Sequence, residues 1–306
     1  MNARQLEVFR TIMRCGTLTS AAKALGVSQP ALSQILLHTE DELGFKLFKR
    51  LKGRLVPTPE AEQLYPEADR LFRELDNLRR FAGDLKGGKG GTVRVAVSAP
   101  PALSLLPRAL GAFRAARPGV RLRSYVVPVA VIVEMLERGD ADLGVAMNDT
   151  PMPLIDTEII GRSEVVCVLR ADHRLAGRRA IKVADLQDET IISYHRNNLQ
   201  GMLIDRALAR EGGELRRDVE IDVSIIALSF VQQGIGMALV DGLLPWSSFP
   251  GLVTRPFRPA ISLPLTLLTS SRRPLSRNHD LLRQHLRAAV RSYGADPGVS
   301  GVLVPV

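Results

Sequence analysis

Cysteine is scarce in this 306-residue chain. Cys15 and Cys167 stand far apart with no CxxC pair, so neither a disulfide framework nor a zinc site is implied. Cys167 alone falls in the later part of the chain, which leaves no intramolecular redox pair there and favours a buried thiol. No uncharged apolar stretch is long enough to span a bilayer, and the opening Met-Asn-Ala-Arg-Gln-Leu-Glu has no apolar run of signal-peptide type. A soluble, cytoplasmic protein without membrane association is expected. Catalytic signatures are missing too: there is no GxSxG, no P-loop and no HExxH. Histidines at 38, 173, 195, 279 and 285 have no Ser, Cys or Asp partner at a recognisable catalytic spacing. The glycine run at 87–91 precedes a strand rather than following one, which excludes a dinucleotide fingerprint. Neither a catalytic residue, nor a metal, nor a cofactor is expected.

What is present points to globular folding in two or three units, with hydrophobic residues at 45%. The formal net charge of +9 suits a polyanionic partner. It does not locate one, because residues 1–90 carry 15 Lys/Arg against 11 Asp/Glu and the remainder 26 against 21.

Near the N-terminus, Asn2 is placed to cap a helix with Leu6, Phe9, Ile12 and Met13 on one face, ended by Gly16. Thr19 is placed to cap a second helix with the small inner face Ala21, Ala22 and Leu25, ended by Gly26. Ser28 then caps a third, with Pro30 in its first turn, where a missing N–H costs nothing. Ala31, Leu32, Ile35 and Leu36 alternate there with Gln29, Ser33 and Gln34. Leu43-Gly44 closes a further segment. Two short helices around a Gly-containing turn form a helix-turn-helix, whose second helix offers its N-terminal side chains to base edges in the major groove. A plain helical hairpin would share this spacing. The next segment argues for the first reading: Lys46, Lys49, Arg50, Lys52 and Arg54 crowd around Gly53, and Leu55-Val56 returns as a strand before Pro57. A basic, Gly-tipped hairpin reads as a wing gripping phosphates, although a charge run alone is also what a solvated face shows.

The run Leu18-Thr19-Ser20-Ala21-Ala22-Lys23-Ala24-Leu25-Gly26-Val27-Ser28-Gln29-Pro30-Ala31-Leu32-Ser33-Gln34, continued by Glu42-Leu43-Gly44 and Leu47-Phe48-Lys49-Arg50, resembles the N-terminal signature of LysR-type transcriptional regulators. The resemblance implies a DNA-binding regulator of transcription with base reading by Gln29, Pro30, Ser33 and Gln34, and with Arg50 and Arg54 on the backbone or minor groove. Thr19, Ser28, Ala31 and Lys52 complete the DNA-facing set. Members often carry Arg after the Ser of the recognition helix, and Gln34 stands there here, which alters the base preference at that contact. The resemblance further implies double-stranded DNA as partner, a homotetramer built as a dimer of dimers, and RNA polymerase as a partner if the protein is an activator.

Thr58-Pro59-Glu60 starts a long helix on which Ala61, Leu64, Ala68, Leu71, Leu75, Leu78, Ala82 and Leu85 follow a 3,4 spacing over more than three heptads. A single amphipathic helix packed on its own domain is one reading. Pairing with a second subunit through Leu64, Leu71, Leu75 and Leu78 is the other, and it would pair two recognition helices on a two-fold-related operator.

Lys86-Gly87-Gly88-Lys89-Gly90-Gly91 reads as a flexible hinge. Beyond it, strands at 92–97, 120–127 and 141–147 alternate with helices at 103–114 and 129–138. A second set of strands near 164–170, 190–194, 219–222 and 236–240 is separated by helices around 201–211 and 225–233. A return strand at 264–270 and a helix at 278–292 complete the pattern. The expected fold is α+β and multidomain. It comprises a winged helix-turn-helix (1–58), a linker and dimerisation helix with hinge (59–91), and a two-lobed α/β domain of periplasmic-binding-protein type (92–293). Lobe 1 takes about 92–162 and 267–293 and lobe 2 about 163–266, and residues 294–306 form a tail without a clear pattern.

Ligands of open α/β sheets bind at the carboxyl ends of strands, near helix N-termini. That rule selects Ser98, Ala99 and Pro100, then Pro128 and Val129, then Met147 and Asn148; from the second lobe it selects Ser193, Tyr194, Asn197, Ser224 and Asp241. These positions match the loops that form the effector cleft in similar regulators. Equally, Ser98 and Ser224 could cap helices and Asp241 a turn. The segments Ser224–Val231 and Gly234–Asp241 look most like the branch responding to opines and basic amino acids, with a carboxylate near Ser98 and an amine meeting Asp241. The rival to a regulator is a solute-binding protein or an enzyme using residues 92–292. The missing export signal and the helical N-terminus argue against the first.

Overall fold

The computed structural model describes residues 1–51, 54–85, 91–295 and 303–306, in two compact units, Met1–Ala82 and Gly83–Val306. In the first unit, α1 (Ala3–Cys15) begins with a capping box: the Asn2 side chain accepts from the Gln5 N–H at 3.0 Å, and Gln5 Oε1 accepts from the Asn2 N–H at 2.6 Å. Helix α2 (Leu18–Leu25) is capped by Thr17, not by the expected Thr19: Gly16 ends α1, and the next residue is already extended, so its hydroxyl accepts from Ser20 N–H at 3.1 Å. Thr19 instead lies exposed in the first turn. Gly26, at φ 65°, makes the left-handed turn into α3 (Gln29–Leu43). The stretch expected as a third helix and a further segment is this single helix.

The hairpin of β1 (Phe48–Leu51) and β2 (Arg54–Pro57) follows, with Leu51 opposite Arg54. Lys52 and Gly53, at its expected tip, lie outside the described residues, as do 86–90 of the expected hinge. Helix α4 (Pro59–Leu85) continues through Pro66, which lacks the N–H that would bond to the Glu62 carbonyl. Val8, Phe9, Ile12, Ala21, Leu32, Leu36, Leu47, Phe48, Ala61 and Ala68 form one core, with Phe9 edge-on to Tyr65 at 6.4 Å between ring centroids.

The second unit runs β3 (Thr92–Val97), α5 (Ala99–Ser104), α6 (Leu106–Ala116), β4 (Arg121–Val126), α7 (Val129–Arg138) and β5 (Leu143–Ala146). It continues through β6 (Ile155–Arg170), β7 (Ile181–Lys182), β8 (Ile191–Tyr194), α8 (Leu199–Arg210), β9 (Val219–Ile221), α9 (Ile226–Gln232) and β10 (Met237–Asp241). The last elements are β11 (Leu252–Arg258), β12 (Ser262–Ser270), α10 (Arg277–Gly294) and β13 (Leu303–Pro305). The helix expected over 103–114 is broken into α5 and α6, because Pro107 has no N–H to continue the ladder.

Strand β6 is sixteen residues long, where the sequence suggested only 164–170. Its first part, up to Glu164, pairs with β12 in the sheet β4-β3-β5-β12-β6. From Val165 it pairs with β10 in the sheet β6-β10-β8-β9, and from Val166 with β11. Two α/β lobes therefore share one strand. In each, the inner parallel strands (β3 and β5, β8 and β10) are the buried runs expected of strands covered on both faces, while the edge strands β4 and β9 are more exposed.

The tail also departs from expectation. Leu303–Pro305 pairs antiparallel with Ser163–Gly161 of β6, on the same edge that β10 occupies further along. Gly161 makes room: a Cβ there would stand 3.0 Å from Val290 Cγ1 and 3.3 Å from Leu303 Cδ1. Leu303 is buried in the main core. Leu303→Ala is expected to lower the unfolding free energy of the second unit by about 2 kcal/mol, the small end of the range for a buried leucine because the strand is short and terminal; urea denaturation followed by circular dichroism measures it.

Candidate DNA-binding and effector sites

The sequence of α3 separates its faces. Leu32 and Leu36 are buried beneath the helix, while Ser28, Gln29, Pro30, Ala31 and Gln34 are exposed and Ser33 is half-buried beside them. Ser28 accepts from the Ala31 N–H at 3.3 Å, leaving the other first-turn donors at an open helix end. Gln29 Nε2 donates to Ser33 Oγ at 3.3 Å, so two amide- and hydroxyl-bearing residues stand together on the open face. Arg50 and Arg54 are exposed on the hairpin, on opposite strands and one step out of register, since Arg50 faces Leu55 and Arg54 faces Leu51. This combination, a polar helix face beside a cationic hairpin, offers base-edge donors and acceptors together with point charges for phosphates.

The seam on α4 changes character along its length. Ala61 and Ala68 are buried in their own unit, and Leu64, expected at a subunit contact, packs against that same core. Leu71, Leu75 and Leu78 are 46%, 41% and 62% exposed. The reading of a helix packed on its own domain thus holds for the first half, and the second half leaves its leucines exposed. Arg10 fastens the junction from α1: its Nε donates to Asp69 at 2.7 Å and its guanidinium lies 5.1 Å from the Phe72 ring centroid, while Arg73 pairs with the other Asp69 oxygen.

In the second unit the strand-end positions divide into two groups. Ser98, Ala99 and Pro100 lie half-buried at the start of α5, and the Ser98 hydroxyl is buried without a hydrogen-bond partner. Pro128 and Val129 begin α7, and Asn197 is exposed on the loop before α8, its N–H donating to His195 Nδ1 at 3.2 Å. Met147 is buried, but its carbonyl accepts from Gln200 Nε2 at 2.9 Å, a hydrogen bond from one lobe to the other. The Asn148 carbonyl accepts from the Thr266 hydroxyl at 2.8 Å. Of these positions, Met147 is the one joined to the second lobe by a hydrogen bond.

Ser193, Tyr194, Ser224 and Asp241 belong to the other group, buried inside lobe 2. The Ser193 hydroxyl donates to the Leu239 carbonyl at 2.8 Å. Asp241 accepts from the Tyr194 hydroxyl at 2.6 Å and from the Leu243 N–H at 3.0 Å, and its carbonyl accepts from Trp246 Nε1 at 2.7 Å. Burial pushes the Asp241 carboxyl upward against the pull of the Ser224 and Tyr194 hydroxyls, and burial beside that carboxyl pushes the Tyr194 phenol well up. The expected meeting of Asp241 with a ligand amine is corrected accordingly: both carboxylate oxygens are engaged within the lobe and neither is exposed.

Gln200 and Arg217 were missed by the sequence reading. The Arg217 side chain is buried and reaches the Tyr194 carbonyl at 2.8 Å and Asp205 at 2.7 Å, bracing the start of α8, whose first turn carries Gln200. A Cβ on Gly201 would fall 2.2 Å from the His195 carbonyl oxygen, so this turn tolerates no side chain there. Cys167 is fully buried in β6, and burial pushes its thiol far up, which leaves it inert as a nucleophile. Among the described residues no group of His, Cys, Asp or Glu could hold a metal, and no helix is long and apolar enough to cross a membrane.

Residues 3–62 match the family of bacterial regulatory helix-turn-helix proteins, lysR family, and residues 86–291 match the LysR substrate binding domain. The regulatory protein NocR of Agrobacterium fabrum is 31% identical over 263 residues, covering 85% of this chain and 87% of its own. The octopine catabolism/uptake operon regulatory protein OccR of Rhizobium meliloti is 30% identical over 260 residues, covering 84% and 85%. The fold of full-length CbnR, solved in complex with its target DNA, superposes with a TM-score of 0.68 at 20% identity, over 94% of this chain and 100% of that one. The chain belongs to the LysR family, and is a DNA-binding transcription regulator with an effector-binding domain.

Proposed function

We propose that the protein regulates transcription by reading a two-fold-related operator through Gln29, Pro30, Ser33 and Gln34, and by gripping phosphates through Arg50 and Arg54. The observation that carries this reading is the exposed polar face of the capped helix α3 beside the two exposed arginines of the hairpin. Two copies pair through Leu71, Leu75 and Leu78 of α4: three leucines at 4,3 spacing are too much apolar surface to leave in water on one helix stripe. Two such dimers form a tetramer, which acts in the cytoplasm and, as an activator, on RNA polymerase. The protein is not an enzyme.

The effector, in this reading, is an amino acid or opine, a small molecule bearing a carboxylate, held where the lobes meet. The similarity to a regulator of octopine catabolism and uptake supports the class. The buried, unpartnered Ser98 hydroxyl supports the carboxylate contact, since an acceptor from the ligand would satisfy it. The ligand's amine is met elsewhere than at Asp241.

Three measurements test these assignments. Gln29→Ala is expected to weaken binding to the cognate site by about 1–3 kcal/mol while leaving random duplex nearly unchanged, whereas Arg54→Ala weakens both and lowers the salt slope by about one; equal losses on both duplexes for Gln29→Ala would overturn the base-reading role. Leu75→Lys is expected to shift the sedimentation coefficient toward a smaller species, and an unchanged oligomer would remove α4 as the subunit contact. Titration calorimetry with lysine, arginine and octopine should give heat for at least one; silence with all three and binding of an aromatic acid would refute the effector class.

A further inference from the structure

The hairpin β1-β2 is a two-stranded sheet of four residues a side, too small to hold a position by itself. Its base is held at Leu47 and Phe48, whose side chains are buried in the core of the first unit, Phe48 beside Phe9 of α1. Their backbone N–H groups both donate to one atom: Glu40 Oε1, at 2.8 Å from Leu47 N and 3.1 Å from Phe48 N. Glu40 is itself buried, on the same helix as Gln29, Ser33 and Gln34, and its second oxygen pairs with Lys46 Nζ at 3.0 Å. From the other side, the Thr58 hydroxyl donates to the Lys46 carbonyl at 2.8 Å and accepts from the Ala61 N–H at 3.2 Å at the start of α4.

We propose that Glu40 is a positioning residue for DNA binding: its single carboxylate fixes the wing against the recognition helix, so that the groove-facing side chains and the phosphate-gripping arginines meet DNA in one register. The geometry is that of a joint. A carboxylate rooted in α3 holds the first strand of the wing by its backbone, where substitution of neighbouring side chains cannot release it, and Thr58 ties Lys46 and Leu47 to the start of α4. Without the carboxylate, two buried N–H groups lose their acceptor, and the arginines lose their fixed distance from α3.

The inference rests on the DNA-binding role of α3 and the wing, and the test uses the full-length protein with a duplex of scrambled sequence over a salt series. Glu40→Ala and Glu40→Asp, the latter keeping the charge but too short to reach both amides, are expected to weaken binding about tenfold. Both should flatten the salt slope by about one for each phosphate that the wing no longer reaches. Adding Arg54→Ala to Glu40→Ala should then cost little more, because the displaced arginine has already left its phosphate. Glu40→Gln, which keeps a carbonyl oxygen at the same reach, should bind within about twofold of the parent. An unaltered slope with the Arg54→Ala loss multiplying in full would overturn the proposal, as would Glu40→Gln binding as weakly as Glu40→Ala. Should the weakened variants fail to fold, amide exchange in the parent protein decides: Leu47 and Phe48 N–H groups protected well beyond the exposed residues of the wing support the joint, and exchange at free-loop rates overturns it. A parent protein that binds no duplex at low salt would refute the underlying DNA-binding role instead.

Discussion

Two lobes can hold one small molecule between them only if something fixes how far apart they stand while letting them differ in tilt. Strand β6 supplies that constraint. Its first ten residues belong to the sheet of lobe 1 through β12, and its last six to lobe 2 through β10 and β11, so neither lobe exists without it. Val165, Val166, Cys167, Val168 and Leu169 are all buried, the pattern of a strand covered on both faces. The register with β12 shifts at Leu265/Thr266, and the Thr266 hydroxyl beside that shift reaches the Asn148 carbonyl at the end of β5. Strand β12, which pairs with the joining strand β6, is therefore tied through one hydroxyl to the loop after β5.

The N-terminal unit obeys a different constraint, that of a small domain with little interior. Its core is closed by the first turns of α4, through Ala61, Leu64 and Ala68, so the helix that leaves the domain is also part of its floor. The same stripe then continues into solvent as Leu71, Leu75 and Leu78. One heptad pattern thus fills the core first and faces solvent afterwards, and the change occurs near Asp69, where Arg10 holds the helix to α1 and Arg73 pairs with the same carboxylate.

Legibility in the sequence followed how local the physics was. The caps and stops of the first helices could be read because each depends on residues within four positions, and the one error, Thr19 for Thr17, arose because both threonines precede a helical pattern and the decision fell to where Gly16 released the chain. The rule that ligands sit at strand ends could not tell Ser98 from Asp241, since both stand at the end of a strand and only packing shows which side chain turns inward. Strand β13 was invisible because its partner lies some 140 residues earlier and neither segment announces an open edge. Glu40 did leave a trace. Acids at 40–42 sit in the last turn of α3, where the helix dipole disfavours them and no basic residue compensates. An acid placed against the field calls for a partner, and the amides of Leu47 and Phe48 are that partner.

An effector shifts such a protein only by as much as it prefers one arrangement of the lobes over another. The hydrogen bond from Gln200 to the Met147 carbonyl is part of that balance, because it links one lobe directly to the other. Its net worth is about 1 kcal/mol, less than a factor of ten. A ligand carboxylate satisfying the buried Ser98 hydroxyl would gain a comparable amount, with more from each contact it makes to the second lobe. The energies are therefore of one size: a molecule with only a few polar groups suffices to change the resting arrangement, provided it touches both lobes. A ligand confined to one lobe leaves the balance where it was however tightly it binds. The first turn of α8, which carries Gln200, is braced by Arg217 and by the closeness of Gly201 to the His195 carbonyl, so the contact that links the lobes is made from a fixed backbone.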